Sequence, residues 1–446
     1  MMARETMIPQ AAMRLGLAAT AIILLSIFAT TLHSAGGFFA FCVMAIMMAA
    51  VAGWVATADH GIDERRVLWI ILGSAVAMRI PFLFAEPYLS SDLYRYIWDG
   101  RVQAHGINPY RFVPAAPELA ALRDSAIFPN INRADYAPTI YPPAGQVLFF
   151  LTTRVGEGVL VMKLSMLTFE ALGLVCLIAI LRRLELPAQR VAAAAWHPLA
   201  LWEVAGNAHI DAAMTGAMLL GVWLFLTKRP MLAVVVATIA TLIKPIAVLA
   251  LPVFWRPWNF RMVGTAIATA TLFYLPYISV GSKVFGFASG YVAEEGYKAG
   301  GGFWYPDILQ AVTGPIAGIG RLYLFGAALS FCVLTLRVAF RRDRSDRTTI
   351  EALVLLGTMF LVLLTPHYPW YYLAAVPFLA FYPRALTLWI LSVGGLQMHD
   401  VIAGDVVPDY GRRQLVFHTA VLLAIMWDLS RRRHHDLRHK TAGGVS

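Results

Sequence analysis

Residues 90–110 read SSDLYRYIWDGRVQAHGINPY, a segment of mixed charge embedded in an otherwise apolar chain. Ser91 is placed to N-cap a helix, with Asp92 in its first turn, where the helix dipole favours a carboxylate. Gly106 falls just past the helix end, and Pro109 follows where the helix must already have stopped. Asp92, Arg95 and Asp99 recur at i, i+3 and i+7 and share one face, while Leu93, Tyr96, Ile97, Gly100 and Ala104 fall on the opposite one. The pattern predicts a short helix lying on an apolar surface and presenting two carboxylates and a guanidinium above it. Taken alone, such a face fits a solvated loop helix as well as it fits a site. The rest of the chain decides between them.

That chain has 446 residues, 59% hydrophobic and 14% charged, with a mean hydropathy of +0.65. Soluble domains carry about a quarter charged residues. Apolar runs recur along the whole length, each about 17 to 25 residues where complete, so the expected fold class is all-α, a polytopic integral-membrane helical bundle of about thirteen to fourteen spans. The formal charge of +10 does not point to nucleic acid. The basic residues sit in short clusters between apolar runs, as the positive-inside rule requires. Cys42, Cys176 and Cys332 lie within apolar runs without metal-ligand spacing and read as small core residues. Arg4 and Arg14 precede an apolar run that is followed almost at once by a second, which reads as a first span and not a cleaved signal peptide.

Working outward, spans are expected over 13–32, 37–57 and 67–84. Arg65 and Arg66 place the 59–66 loop in the cytoplasm, so the long loop 85–143 lies outside. It holds six acidic residues against five arginines and carries the helix quoted above. The run Ala144–Thr153 is too short to cross about 30 Å of hydrocarbon as a helix and reads as re-entrant or interfacial. If it crossed, Arg182, Arg183 and Arg190 would land outside. Further spans are expected near 160–181, 191–205, 207–227, 230–243, 245–255, 261–279, 314–338, 349–365, 369–383, 385–399 and 413–430. The basic clusters at 228–229, 256–261, 337–347 and 431–440 then fall inside, together with both termini. A second outer loop spans 280–313. The whole, 1–446, reads as a single transmembrane domain with a basic cytoplasmic tail over 431–446.

Under this topology the unusual polar residues gather at one membrane face. Asp92, Arg95, Asp99 and Arg101 come from the first loop, and Tyr141 introduces a Pro-Pro turn. Glu203, Asn207 and Asp211 are spaced i, i+4, i+8 at a helix end, with His209 adjacent. Lys244 sits inside LIKPIAVLALP, where an ionisable residue is a functional hypothesis by default. His367 opens a last aromatic cluster with Tyr368, Trp370, Tyr371 and Tyr372. Each has a plainer reading: an aromatic belt, caps at a helix–helix turn, a snorkelling lysine, or carboxylates paired with Arg95. Their convergence on one face weighs against these.

No phosphate loop, HExxH, CxxC or GxSxG occurs. What remains is a carboxylate base, cations suited to an anionic group, and access from lipid. Those are the requirements of sugar transfer from a polyprenyl phosphate. A carboxylate would take the proton of an acceptor hydroxyl attacking C1, through an oxocarbenium-like centre as in glycoside hydrolysis. Positive charge would stabilise the departing phosphate.

The stretch SSDLYRYIWDGRVQAHGINPYRF resembles the first outer loop of bacterial polyprenyl-phosphate-mannose-dependent mannosyltransferases, members of the C-type glycosyltransferase superfold. YPPAGQ, WHPLALWEVAGNAHIDA, LIKPIAVLALP and PHYPWYYLAAVPFLAF follow in that family's order, so the resemblance covers roughly Arg79 to Tyr382. It implies an inverting hexosyltransferase of the bacterial cytoplasmic (inner) membrane with its active site on the extracytoplasmic side. The donor would be a polyprenyl-phosphate sugar, commonly mannose, and the acceptor a glycan or lipid. No nucleic-acid partner and no cofactor are implied. The family's acidic base maps to Asp92, with Asp99 as a second acid. Arg95, Arg101, Tyr141, Asn207, His209, Asp211, Lys244 and His367 would bind donor phosphate or substrate. Ser91 stands where relatives carry a further acid, which leaves divalent-metal use open and no metal ligand assigned. The alternatives are a transporter or flippase of a lipid-linked sugar and a non-catalytic envelope scaffold.

Overall fold

The computed structural model describes residues 2–32 and 34–442. Its first three helices are α1 (Met2–Ala29), α2 (Phe38–Thr57) and α3 (Glu64–Phe84). Asp63 caps α3 by accepting from the backbone amides of Arg65 and Arg66, a carboxylate at the positive end of a helix dipole. Pro81 lies in the last turn of α3. There the Lys163 ammonium, wholly buried, donates to the Phe82 carbonyl at 2.7 Å and the Ala85 carbonyl at 2.6 Å. It satisfies acceptors that the helix end leaves unpaired.

Two shorter helices follow, α4 (Asp92–Ala104) and α5 (Pro143–Val155), then the long α6 (Val159–Arg183). α5 has the length expected of a segment that does not cross. It crosses α4 at Gly100, where an added Cβ would come within 2.5 Å of the Phe149 carbonyl oxygen. Only a glycine permits this approach, the same device that lets membrane helices pack backbone to backbone.

After α6 the chain runs through short pieces, 188–191, 192–195 and 198–206, where one straight span over 191–205 was expected. Residues 201–206 form a wide π-helical turn, and the chain bends by 117° into α7 (Asp211–Leu226). Asn207 sits at the bend. It donates to the Trp202 carbonyl at 3.1 Å and accepts from the Leu89 amide at 3.3 Å. α8 (Pro230–Ile243) ends at Lys244, which is extended because Pro245 follows. Beyond it stand α9 (Phe260–Tyr274), α10 (Ile319–Ala339), α11 (Asp346–Leu364) and α12 (Tyr410–Ala442). The basic tail predicted over 431–446 continues α12 to Ala442, and residues 443–446 lie outside the described part. A two-stranded hairpin pairs Val401–Ile402 with Asp405–Val406.

The protein is therefore an all-α polytopic membrane protein. Among the described residues seven helices are long and apolar enough to cross, or eight if the bent pair counts as one span. This is fewer than the thirteen to fourteen expected. The apolar segments Pro230–Ile243, Pro245–Phe254, Pro369–Phe381 and Leu386–Met398 are too short to be counted by length. They are tolerated because they pack among longer neighbours, which satisfies broken backbone inside protein.

One buried apolar cluster runs from Leu15 to Val421. Two ion pairs tie together one end of α3, α6 and α11: Arg182 bonds Glu64 at 2.9 Å and Arg183 bonds Asp346 at 2.8 Å. α3, α8 and α11 all start at that end and finish at the other, where the first loop folds.

The Gly100 crossing gives a direct test. Gly100→Ala should lower the melting temperature of the detergent-solubilised protein, at a cost of about 1–3 kcal/mol from overpacking. Gly73→Ala, in α3 with nothing within 4 Å of its added Cβ, should be neutral or slightly stabilising in the same scan.

Candidate functional site

The quoted helix does not present its charges to an open surface. Leu93 to Val102 are all buried. The loop that follows α4 folds back over it, with Ala137 and Leu122 supplying carbonyls to its arginines. The face expected to present two carboxylates and a guanidinium is thus largely an interior one, because the loop is long enough to cover it. Ser91 makes no side-chain cap; the Ser90 hydroxyl takes the Asp92 amide at 3.2 Å instead. Gly106 is left-handed, φ +73°, as its position past the helix end requires.

Asp92, at the N-terminus of α4, is the half-buried exception. It lies on the wall of a cleft of about 1360 Å³ formed by the first loop, the end of α8, the 284–297 segment, 366–371 and 399–404. Its two oxygens have separate donors: Asn132 Nδ2 at 2.8 Å and the Tyr141 hydroxyl at 3.2 Å. Burial, reinforced by the Asp92 charge, pushes the Tyr141 phenol well above its ordinary range, so it stays a donor. The Tyr141 ring is wedged edge-on against Tyr96 at 5.0 Å and Phe149 at 5.3 Å. A carboxylate offers about four lone-pair sites, so two fixed donors orient it and leave acceptor capacity for a substrate hydroxyl.

Arg95 also lines the cleft, and its ionic partner is Asp99 and not Asp92. Its Nε bonds Asp99 at 2.8 Å and its Nη1 the Ala137 carbonyl at 3.1 Å. Asp99 is 2% exposed, takes a further bond from Gln146 at 3.0 Å and is not on the cleft wall. It lies two turns further along the same face, under the loop that covers α4, so it has no path to a substrate bound beside Asp92. Arg101 likewise faces away, clamped by Asp124 at 2.6 Å and Glu157 at 2.7 Å. It ties the first loop to the α5–α6 turn.

Lys244 does reach the cleft. The extended break before Pro245 carries its ammonium to Asp211, at the first turn of α7, at 2.6 Å, and over the Tyr371 ring at 4.6 Å. It is neither unpaired nor snorkelling. Asp211 is buried behind it as its counter-charge. Asn207 and His209 are buried too and stay off the wall. Asn207 caps the bend, and His209 stacks on Trp370 at 4.4 Å with Glu203 at 3.2 Å. His367 bonds Glu295 at 2.6 Å and the Gly302 carbonyl at 3.0 Å. Burial works against its charged form, but the Glu295 carboxylate outweighs this and holds its pKa above the ordinary value.

Four residues of the site region carry no signal in the residue patterning of the quoted stretch. Asn132 and Arg133 come from an irregular loop with no periodicity. Gln146 lies in the short helix α5. His399, on the cleft wall, has the buried Glu203 at 2.7 Å behind it. Ionisable residues ending an apolar run, as His399 and Asp400 do, are the one clue that could have flagged them. Among the described residues no group of three or more His, Cys, Asp or Glu side chains is arranged to hold a metal ion.

Residues 3–259 match the family model described as alpha-(1->6)-mannopyranosyltransferase, N-terminal domain. Two curated relatives are named alpha-(1->6)-mannopyranosyltransferase A. The one from Mycobacterium tuberculosis is 26% identical over 240 residues, covering 51% of this chain and 46% of the relative. The one from Corynebacterium glutamicum is 27% identical over 200 residues, covering 42% and 39%. The chain thus spans less than half the length of either relative. No solved structure matches it.

The two aspartates of α4 are separable by stability. Asp99→Asn strands a buried guanidinium, and breaking one partner of a buried pair costs about 3–5 kcal/mol. Asp92→Asn disturbs only bonds to neutral donors, worth about 1 kcal/mol. Thermal unfolding of the purified variants should therefore show a large loss for Asp99→Asn and a small one for Asp92→Asn.

Proposed function

Because this chain belongs to the alpha-(1->6)-mannopyranosyltransferase family, we propose that it is a membrane mannosyltransferase whose reaction takes place in the cleft bearing Asp92. The donor is a polyprenyl-phosphate mannose and the acceptor a glycan or lipid hydroxyl. The relatives' names, alpha-(1->6)-mannopyranosyltransferase A, support reading the nucleophile as a sugar 6-hydroxyl and the product as α-linked. With inversion at C1, the donor is the β-phosphate.

The observation that supports this most is the Asp92 carboxylate, fixed by Asn132 and Tyr141 on the wall of a cleft that also holds the Lys244 ammonium. In the proposed step the acceptor oxygen bonds to C1 while the C1–phosphate oxygen bond breaks. Asp92 takes the acceptor proton, and the polyprenyl phosphate leaves with its second negative charge. A positioned base of this kind contributes about 10² to 10⁴ in rate. Lys244, held against Tyr371 and Asp211, lies where it can meet the phosphate. The part of the cleft formed by Ile243, Ile246, Val284, Phe285, Val292 and Leu364 is apolar and suits the first isoprene units of the donor.

We place the cleft on the extracytoplasmic side of the bacterial inner membrane. The basic clusters stand at the opposite ends of α3, α8 and α11, as the positive-inside rule asks of cytoplasmic ends. A lipid-linked-sugar transporter would instead be expected to bind near mid-membrane, and here the polar groups lie toward one end of the helices.

Asp92→Asn keeps the volume but cannot take the proton. It should leave polyprenyl-phosphate binding near wild type while cutting mannose transfer about 10²-fold or more. A variant that transfers mannose at the wild-type rate would remove Asp92 from the mechanism.

A further inference from the structure

Among the described residues three cations line the cleft: Arg95, Lys244 and Arg133. The first two are already neutralised by buried carboxylates. Arg95 and Asp99 are 6% and 2% exposed at their side chains, and Lys244 and Asp211 are 14% and 1% exposed. Neither pair can separate without leaving a carboxylate stranded in the interior, which is strongly unfavourable. Arg133 differs. Its Nε bonds Glu294 at 2.8 Å, and the two side chains are 30% and 32% exposed. An ion pair this open is worth about 0–1 kcal/mol, and Glu294 would be solvated by water if the arginine left. The Tyr136 hydroxyl, at 3.0 Å, would remain its partner.

The position of Arg133 is also specific. It follows Asn132, whose amide holds Asp92, so its backbone is tethered one residue from the group that positions the proposed base. Its backbone is left-handed, φ +54°, a conformation that costs a non-glycine residue about 1 kcal/mol or more and tends to mark functional sites. Glu294 ends the short helix Ala288–Glu294, whose Ala288, Tyr291 and Val292 face the cleft. The pair therefore joins the two long loops across the cleft.

Resting on the reading that the donor is a polyprenyl phosphate, we propose that Arg133 is a phosphate-binding residue of the cleft, held in reserve by Glu294 and released to the lipid phosphate on binding. The chemistry calls for such a group. The phosphate carries one negative charge as a diester and gains a second as C1 leaves, and Lys244 has Asp211 against it throughout. A guanidinium with a weak, exposed partner supplies the extra charge and two donors in a fork suited to phosphate oxygens.

The test is binding of polyprenyl monophosphate to the purified full-length protein in detergent, with the matching polyprenol, which lacks phosphate, as the control ligand. Arg133→Gln should weaken polyprenyl phosphate binding about tenfold, the scale of one charged hydrogen bond, and leave polyprenol binding unchanged. Glu294→Gln removes the competitor and should tighten polyprenyl phosphate binding severalfold. Arg133→Lys should fall between Arg133→Gln and wild type. If Arg133 and Glu294 only clasp the loops together, both Gln variants weaken binding alike, which overturns the proposal; so does wild-type affinity in Arg133→Gln. If wild-type protein binds polyprenyl phosphate no better than polyprenol, the donor reading itself falls.

Discussion

The buried bond between Arg95 and Asp99 is the constraint on which the site depends. It lies within one helix, yet its remaining valences reach out to two other segments: Arg95 to the Ala137 carbonyl and Asp99 to the Gln146 amide. Gln146 in turn donates to Thr139 at 2.8 Å. A charged pair out of water is stable only when its spare donors and acceptors are met. Meeting them obliges the 132–141 segment to lie along α4. Asn132 and Tyr141, the two groups that hold Asp92, bracket that segment. The inner aspartate and arginine thus build the wall on which the outer aspartate works.

Charge is sorted by depth throughout the molecule. Pairs that brace the fold are buried and close: Arg79 with Glu170 at 2.6 Å, Arg95 with Asp99, Lys244 with Asp211. Lys163 achieves the same with carbonyls alone. In lipid there is little hydrophobic gain from bringing helices together, so close packing at small residues and satisfied polar contacts carry much of the association. Pairs that bridge the loops, such as Arg133 with Glu294, are left partly wet and can exchange. Stability and responsiveness are therefore assigned to different residues of similar chemistry.

Much of this was legible in the chain itself. The apolar runs gave α2, α3 and α6 within a few residues and, of the longer α1, the apolar part Ala12–Ala29, and the short run 144–153 matches the 13-residue α5. Broken helices were harder. Segments such as 191–205 and 369–383 have the composition of spans, and composition alone does not show that a π-helical turn or a proline divides them. Within the site, helical spacing placed Asp92, Arg95 and Asp99 on one face but could not say which side of that face would be covered. The covering loop has no periodicity, so neither its path nor the roles of Asn132 and Arg133 could be read. Lys244 and Asp211 were each conspicuous as ionisable groups in apolar surroundings. That they partner one another follows from the bend at Asn207 and the break at Pro245, which act over a distance that local patterning does not encode.

We propose that the Asp92 cleft transfers mannose from a lipid phosphate with inversion. It is tested most directly by supplying purified protein with β-mannosyl polyprenyl phosphate and a mannoside acceptor, and determining the product's anomeric configuration and linkage by NMR. An α-(1→6)-linked product with stoichiometric release of polyprenyl phosphate is the result predicted. A β-linked product, or no transfer from a donor shown to bind, would contradict it.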